Sequence, residues 1–258
     1  MFALVTGASS GIGLEYAKAL AAKGYDMLIV SNQEKEIQET ATRLSEQFHV
    51  SIWPLYMNLA EENAARELWQ YTHEHNFTVD LLVNNAGVFF FNDLTNTEPV
   101  RIALMLDLHV RTLTLMCRLF AEDMKQRGSG RIINMSSMSA WMAMPGISTY
   151  NATKAYILNL SRSLWYELKP YGVTVTAICP GAVDTGLYGL SDYWRRVAVA
   201  LGVSMKPQRL VQIALDKSEK GKKQVMPGCV NHLFLPLLKH LPDWVVYAVI
   251  KRIRQFQK

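Results

Sequence analysis

The stretch FALVTGASSGIGLEYAKALAAKGYDMLIVSN, residues 2–32, reads as a strand, a glycine-rich turn, a helix and a second strand. Phe2 to Thr6 is a short apolar run broken by Gly7. Gly11 and Gly13 follow, and then Leu14, Ala17, Leu20 and Ala21 recur at helical spacing. Asp26 to Val30 is the next apolar run, closed by Ser31 and Asn32. A helix start reached through glycines offers backbone N–H groups and little bulk. That makes a seat for phosphate over Gly7, Ser9, Ser10, Gly11, Ile12 and Gly13. The glycine spacing is a relative of G-x-G-x-x-G and not that motif itself.

Outward from this stretch the alternation continues. Helices are predicted over Lys35 to Phe48, Glu61 to His75, Pro99 to Gln126, Asn151 to Leu168 and Pro207 to Glu219. Strands are predicted over Ser51 to Met57, Val79 to Val83, Arg131 to Met135, Val173 to Ile178 and Gln224 to Met226. Strands alternating with helices at this pitch predict an α/β fold, a Rossmann-type doubly wound parallel sheet with helices on both faces. No linker interrupts residues 1–258, so a single domain is expected.

Open sheets of this kind bind ligands beyond the carboxyl ends of their strands. The loops there hold Ser31 and Asn32, where an adenosine ribose would lie, and Asn58 and Leu59, which could contact the adenine edge. They also hold Asn85, Ala86 and Gly87, and the run Pro180, Gly181, Val183 and Thr185.

MSSMSAWMAMPGISTYNATKA, residues 135–155, carries the candidate chemistry. Tyr150 and Lys154 are four apart, one turn above each other on one helix face. Ser137 stands where the strand ending at Met135 runs into a loop. A free tyrosine has a pKa of about 10, so a phenolate near pH 7 requires about 4 kcal/mol. One ammonium at about 4 Å supplies about that much at an effective dielectric near 20. Tyr150 can then act as a general acid and base, with Ser137 donating to a substrate oxygen as charge develops on it.

Composition sets bounds on the rest. Half the residues are hydrophobic and 19% are charged, a globular profile that argues against extended disorder. Cys117, Cys179 and Cys229 lie far apart with no C-x-x-C, so neither a disulfide framework nor a cysteine metal site is expected, and a reducing, cytoplasmic compartment fits. Strand-like residues begin at Phe2, so no signal peptide is expected, and no run of 18 apolar residues predicts a spanning helix. The net charge of +5 is concentrated at the end: Lys239, Lys251, Arg252, Arg254 and Lys258 stand against Asp243 alone from residue 239 onward. The nearly neutral remainder argues against a nucleic-acid surface.

Two segments lie outside the repeat. Residues 187–206 are rich in aromatic and apolar side chains and follow a site loop, so they are expected either to cover a bulky apolar substrate or to pack in the core. Residues 230–258 form a basic amphipathic extension in which Val246, Ile250, Ile253 and Gln257 share one helix face and Lys251, Arg254 and Lys258 another. Such a helix suits peripheral contact with a membrane surface or packing in a homodimer or homotetramer.

Taken together, TGASSGIG at Thr6 to Gly13, NNAG at Asn84 to Gly87, Ser137 with Tyr150-x-x-x-Lys154, and Pro180-Gly181 followed by Thr185 resemble the short-chain dehydrogenase/reductase family over nearly the whole chain. The resemblance implies hydride transfer between a nicotinamide and a carbonyl or alcohol carbon. Tyr150 would exchange the proton, Ser137 would orient the substrate oxygen and Lys154 would hold the nicotinamide ribose. Thr185 would contact the carboxamide and the Gly7–Gly13 turn the pyrophosphate. Composition of the two outlying segments resembles members acting on bulky apolar or amphiphilic substrates such as steroids, long-chain ketoacyl groups or ketosphinganine. NADP(H) is favoured because Ser31 and Asn32 include no acid to repel a 2′-phosphate and Lys35 is close.

One residue departs from the family pattern. His109 stands where members usually carry an asparagine in the proton relay, and histidine can also donate and accept. Asparagine in its place is expected to preserve or raise turnover. A nucleotide-binding scaffold without turnover is the alternative His109 suggests, and the intact Ser137, Tyr150 and Lys154 oppose it.

Overall fold

The computed structural model describes residues 1–184 and 204–228, together with Pro242, Trp244 and Tyr247. Seven parallel strands form one sheet: β1 (Phe2–Thr6), β2 (Asp26–Ser31), β3 (Ile52–Tyr56), β4 (Leu81–Asn84), β5 (Gly130–Met135), β6 (Val173–Ile178) and β9 (Gln224–Val225), in the order β3-β2-β1-β4-β5-β6-β9. A separate two-stranded ribbon pairs β7 (Ala182–Val183) with β8 (Ser204–Met205). The helices are α1 (Gly11–Ala21), α2 (Glu34–Phe48), α3 (Ala64–Glu74), α4 (Pro99–Leu106), α5 (Leu113–Arg127), α6 (Ser148–Leu168) and α7 (Pro207–Glu219). The Rossmann-type doubly wound sheet predicted from the alternation is the fold observed.

Side chains alternate across a strand, and this builds two cores. Ala3, Val5, Met27, Ile29, Leu81 and Val83 face one way, against Tyr16 and Leu20 of α1, Ile37 and Leu44 of α2 and Leu210 of α7. Leu4, Leu28, Val30, Leu82 and Ile132 face the other way, against Leu68 of α3, Met116 and Phe120 of α5 and Ile157 of α6. With both faces covered, most strand residues are apolar, as is usual in a parallel sheet. The strand order turns back between β1 and β4, and a crevice opens there beyond the strand ends.

Two of the differences from the expected element boundaries bear on the site. The helix expected over Pro99 to Gln126 is broken into α4 and α5 by a π-helical turn at Asp107–Thr112. Apolar periodicity does not register one extra residue in a turn, and such bulges concentrate at functional sites. Helix α6 starts at Ser148, three residues before the expected Asn151, which places Tyr150 in its first turn. Thr185, most of the expected lid and all of the terminal extension but Pro242, Trp244 and Tyr247 lie outside the described residues. Of the lid, Ser204 and Met205 form β8 and Lys206 caps α7.

Candidate active site

A cleft of about 480 Å³ opens at the carboxyl ends of β1, β2, β4, β5 and β6. It is lined by Gly7, Ser9, Ser10, Gly11 and Ile12 of the glycine turn, and by Ser31, Asn32, Asn58 and Leu59 after β2 and β3. Asn85, Ala86 and Gly87 follow, with His109, Ser137, Tyr150 and Lys154, and Pro180, Gly181 and Val183 close it. Residues separated by up to 176 positions in sequence are thus gathered on one surface. Gln33, Met57, Val88, Leu108, Met135 and Ser136 also line it and were missed. Each lies within two residues of one that was singled out, and for all but Leu108, which sits in a helical turn, position just at or beyond a strand end was the signal available.

Gly13 does not line the cleft itself. A Cβ there would stand 2.0 Å from the Gly7 carbonyl oxygen and 2.5 Å from the Asn85 amide nitrogen, so its bareness serves close packing of helix on turn. Asn85 is also used differently from the ligand-facing amide expected. Its side-chain N–H donates to the carbonyls of Thr6 (2.9 Å) and Gly7 (3.2 Å). The Thr6 hydroxyl accepts from the backbone N–H groups of Asn85 and Ala86, both at 3.0 Å. These bonds fasten the ends of β1 and β4 where the strand order reverses.

The glycine turn fits a dinucleotide phosphate. Gly7 (φ 67°) adopts a left-handed conformation, and its N–H and that of Ala8 bond to Val30, pinning the turn across β2. Ser10, the N-cap of α1, makes no side-chain cap bond, and no acid lies in the first turn. The positive end of the helix therefore faces the cleft without an internal counterpart. At the adenosine end, the Ser9 hydroxyl lies 2.8 Å from that of Ser31 and donates to Gln33 Oε1 at 2.7 Å, an uncharged cluster. Lys35, expected to assist here, is not a lining residue. Its ammonium lies 3.9 Å from Glu39 in an exposed pair.

Tyr150 and Lys154 lie one turn apart on α6, both buried, at 8% and 6% exposure. The Lys154 ammonium donates to the Met135 carbonyl at 2.9 Å and stands 5.4 Å from the centre of the Tyr150 ring. Burial pulls its pKa down to about 8. Ser136 donates to the Lys154 carbonyl at 2.7 Å, fixing α6 to the end of β5. Ser137 Oγ accepts from the Ser139 N–H at 3.1 Å, which leaves its proton for another acceptor. A buried cation beside a phenol, with a hydroxyl on the same cleft, can perform acid–base chemistry on an oxygen brought between them.

His109 is 1% exposed within the π-helical turn. Its Nε2 accepts from the Val88 N–H at 3.0 Å, and its Nδ1 lies 3.1 Å from the Thr153 hydroxyl. Burial, with the Lys154 charge nearby, holds its pKa well below the ordinary histidine value. Both ring nitrogens are engaged, so its side chain has no partner position left for the water of a relay.

A family model described as short chain dehydrogenase matches residues 1–195. An uncharacterized oxidoreductase of Staphylococcus saprophyticus is 31% identical over 194 residues, covering 75% of this chain and 83% of that protein. A short-chain dehydrogenase from Sphingobium yanoikuyae, solved in complex with NADPH, superposes with a TM-score of 0.81 at 28% identity, over 100% of this chain and 98% of that one. The bulky-bulky ketone specific alcohol dehydrogenase from Comamonas testosteroni superposes at 0.79 with 27% identity, over 100% and 96%.

Proposed function

The chain belongs to the short-chain dehydrogenase family, whose members are NAD(P)-dependent dehydrogenases acting on alcohol and ketone groups, and from that premise we propose that it interconverts a ketone and an alcohol on a bulky, apolar substrate with NADP(H). The observation that carries the reading is the burial of Tyr150 and Lys154 on one helix face, in a cleft that also holds Ser137 and the glycine turn. A bound nicotinamide dinucleotide supplies or accepts the hydride. Backbone N–H groups at the start of α1 would bind its phosphates, and Lys154 would hold the nicotinamide ribose. Tyr150 delivers a proton to the substrate oxygen during reduction and removes it during oxidation. Ser137 donates to that same oxygen and orients it. Lys154, as an ammonium, favours the phenolate and so brings the Tyr150 proton into a working range.

The substrate class rests on the wall beside Tyr150. Phe89 stands edge-on to the Tyr150 ring, with centroids 5.0 Å apart and planes at 88°. Phe91 packs so closely against Gly146 that a Cβ there would lie 2.6 Å from its ring, and Arg101 covers Phe90 at 4.7 Å. The Phe89 ring against Tyr150, with two further aromatic residues next to it in sequence, suits a large apolar ketone. The Comamonas testosteroni enzyme, specific for bulky-bulky ketones, supports the same class. The cofactor preference is supported by the uncharged Ser9, Ser31, Asn32 and Gln33 group and by the NADPH complex of the Sphingobium yanoikuyae enzyme.

The test is NADPH oxidation with a panel running from acetone to diaryl ketones, steroid ketones and long-chain 3-ketoacyl thioesters. Turnover rising with apolar bulk is expected. Micromolar NADPH binding without turnover of any ketone would overturn the enzymatic reading, and a preference for the smallest ketones would overturn the substrate class.

A further inference from the structure

We propose that His109 is the positioning residue of this site, a crossbar that ties the backbone at Val88, just beyond β4, to the first turn of α6 and so sets where Tyr150 stands. This rests on the reading of Tyr150 as the proton-transferring group. The bond directions are fixed by chemistry. A backbone N–H can only donate, so Nε2, which meets the Val88 N–H at 3.0 Å, carries no proton. The neutral ring therefore bears its proton on Nδ1 and donates to the Thr153 hydroxyl at 3.1 Å. Thr153 in turn donates to the Tyr150 carbonyl at 2.9 Å. One unbroken path of three bonds runs from the strand end to the backbone of Tyr150.

Two further contacts locate the ring. It stands edge to face with the Tyr150 ring, with centroids 5.9 Å apart and planes at 69°. It also fills the space beside Gly87, where a Cβ would fall 2.8 Å from Nε2 and 3.5 Å from Cδ2. Gly87 and the imidazole are thus fitted to each other, and each limits what the other can be. Asparagine also carries one donor and one acceptor, but on a shorter side chain, so whether it spans from Val88 to Thr153 is a matter for the His109→Asn variant, which is expected to preserve turnover if its amide reaches both.

The experiment measures kcat, KM for the ketone and the NADPH Kd, the last by fluorescence titration, for Thr153→Val, His109→Ala and the double variant. Each single change is expected to lower kcat tenfold or more while the NADPH Kd moves less than about threefold. The double should be no slower than the slower single, because the two side chains act as one unit. Gly87→Ala should also be slow, and adding His109→Ala to it should raise kcat by freeing the crowded space. Thr153→Val, nearly isosteric, keeps the test open if His109→Ala fails to fold. Single variants within twofold of wild type, or single effects that multiply in the double, would overturn the proposal. A readout free of activity is the ¹⁵N imidazole spectrum of the full chain at pH 7. The Nδ1–H tautomer is expected for His109, and an Nε2–H tautomer or an imidazolium would overturn the crossbar. Should the wild-type protein turn over no ketone, the reading of Tyr150 would fail, and the imidazole spectrum would still decide this one.

Discussion

Lys154 donates its ammonium to the carbonyl oxygen of Met135 at 2.9 Å, so the cation of the site hangs from the last residue of β5 and, among the described residues, is paired with no carboxylate. Its charge is therefore held in a buried place at a cost, and turned toward the phenol of Tyr150. That cost has consequences for stability and for pH dependence.

Replacing Lys154 by Met should stabilise the protein while abolishing turnover. Burial lowers the lysine pKa from 10.5 to about 8, a penalty on the charged form of about 3 kcal/mol. Loss of the bond to Met135, from a charged donor, costs about 1.5–3 kcal/mol, so a net gain of up to about 1.5 kcal/mol is expected at pH 7. The penalty is fully present below pH 8. Between pH 8 and 10.5 the unfolded chain holds a proton that the folded one has released, so wild-type stability rises with pH and the advantage of the variant shrinks. Denaturant titrations at pH 7 and 9.5 measure this; a less stable variant at pH 7 would contradict it.

The pH profile of ketone reduction should follow the same group. Below about pH 8 Lys154 is an ammonium beside the Tyr150 ring; above it the ammonium is lost. The expected kcat/KM of reduction is level on the acid side and falls as pH rises through about 8. Because kcat/KM reports the free enzyme, a bound cofactor can move the midpoint seen in kcat. A profile that climbs through pH 8 would refute the assignment.

Tyr150→Phe removes one hydroxyl and keeps the ring that packs on Phe89 and His109. General acid–base catalysis is worth about 10²- to 10⁴-fold, so kcat should fall at least a hundredfold. The NADPH Kd should stay within about threefold of wild type. Fluorescence titration beside steady-state kinetics separates the two effects, and a smaller fall in kcat would show that another group delivers the proton.

Gly13→Ala should damage cofactor binding without touching the cofactor. The added carbon would lie 2.0 Å from the Gly7 carbonyl oxygen and 2.5 Å from the Asn85 amide nitrogen, forcing the turn outward or the β4 end away. An NADPH Kd raised tenfold or more is expected, with stability lower by about 1–3 kcal/mol as for other overpacked sites. Calorimetric titration of the variant checks this; unchanged affinity would mean that the turn can yield.

Asn32→Asp places an acid beside the uncharged group at the end of β2. It should lower kcat/KM for NADPH at least tenfold and alter that for NADH less than threefold, since only the 2′-phosphate is repelled. Parallel kinetics with both cofactors decide it, and equal losses would mean that this residue does not face the ribose.

Much of the molecule was legible from local sequence. Apolar alternation and glycine position located the seven strands of the main sheet, and helical period alone put Tyr150 and Lys154 on one face. The π-helical turn at Asp107–Thr112 was not legible, because an added residue in one turn leaves the apolar spacing of Met105, Leu113 and Met116 consistent with a plain helix. The residues that went unnoticed in the cleft, such as Gln33 and Val88, sit beside noticed ones and carry no chemistry that would single them out.

What the order of amino acids determined by itself is the set of elements and the candidate reacting groups on the helix face of Tyr150 and Lys154, since both rest on spacings within a few residues. Only the tertiary structure decided how polar side chains are spent. Asn85 bonds to Thr6 across 79 positions, His109 to Thr153 across 44 and Lys154 to Met135 across 19. Such pairs are set by how strands and helices come to lie side by side, and a hydrogen bond is too short in range and too particular in direction to be read from residue type.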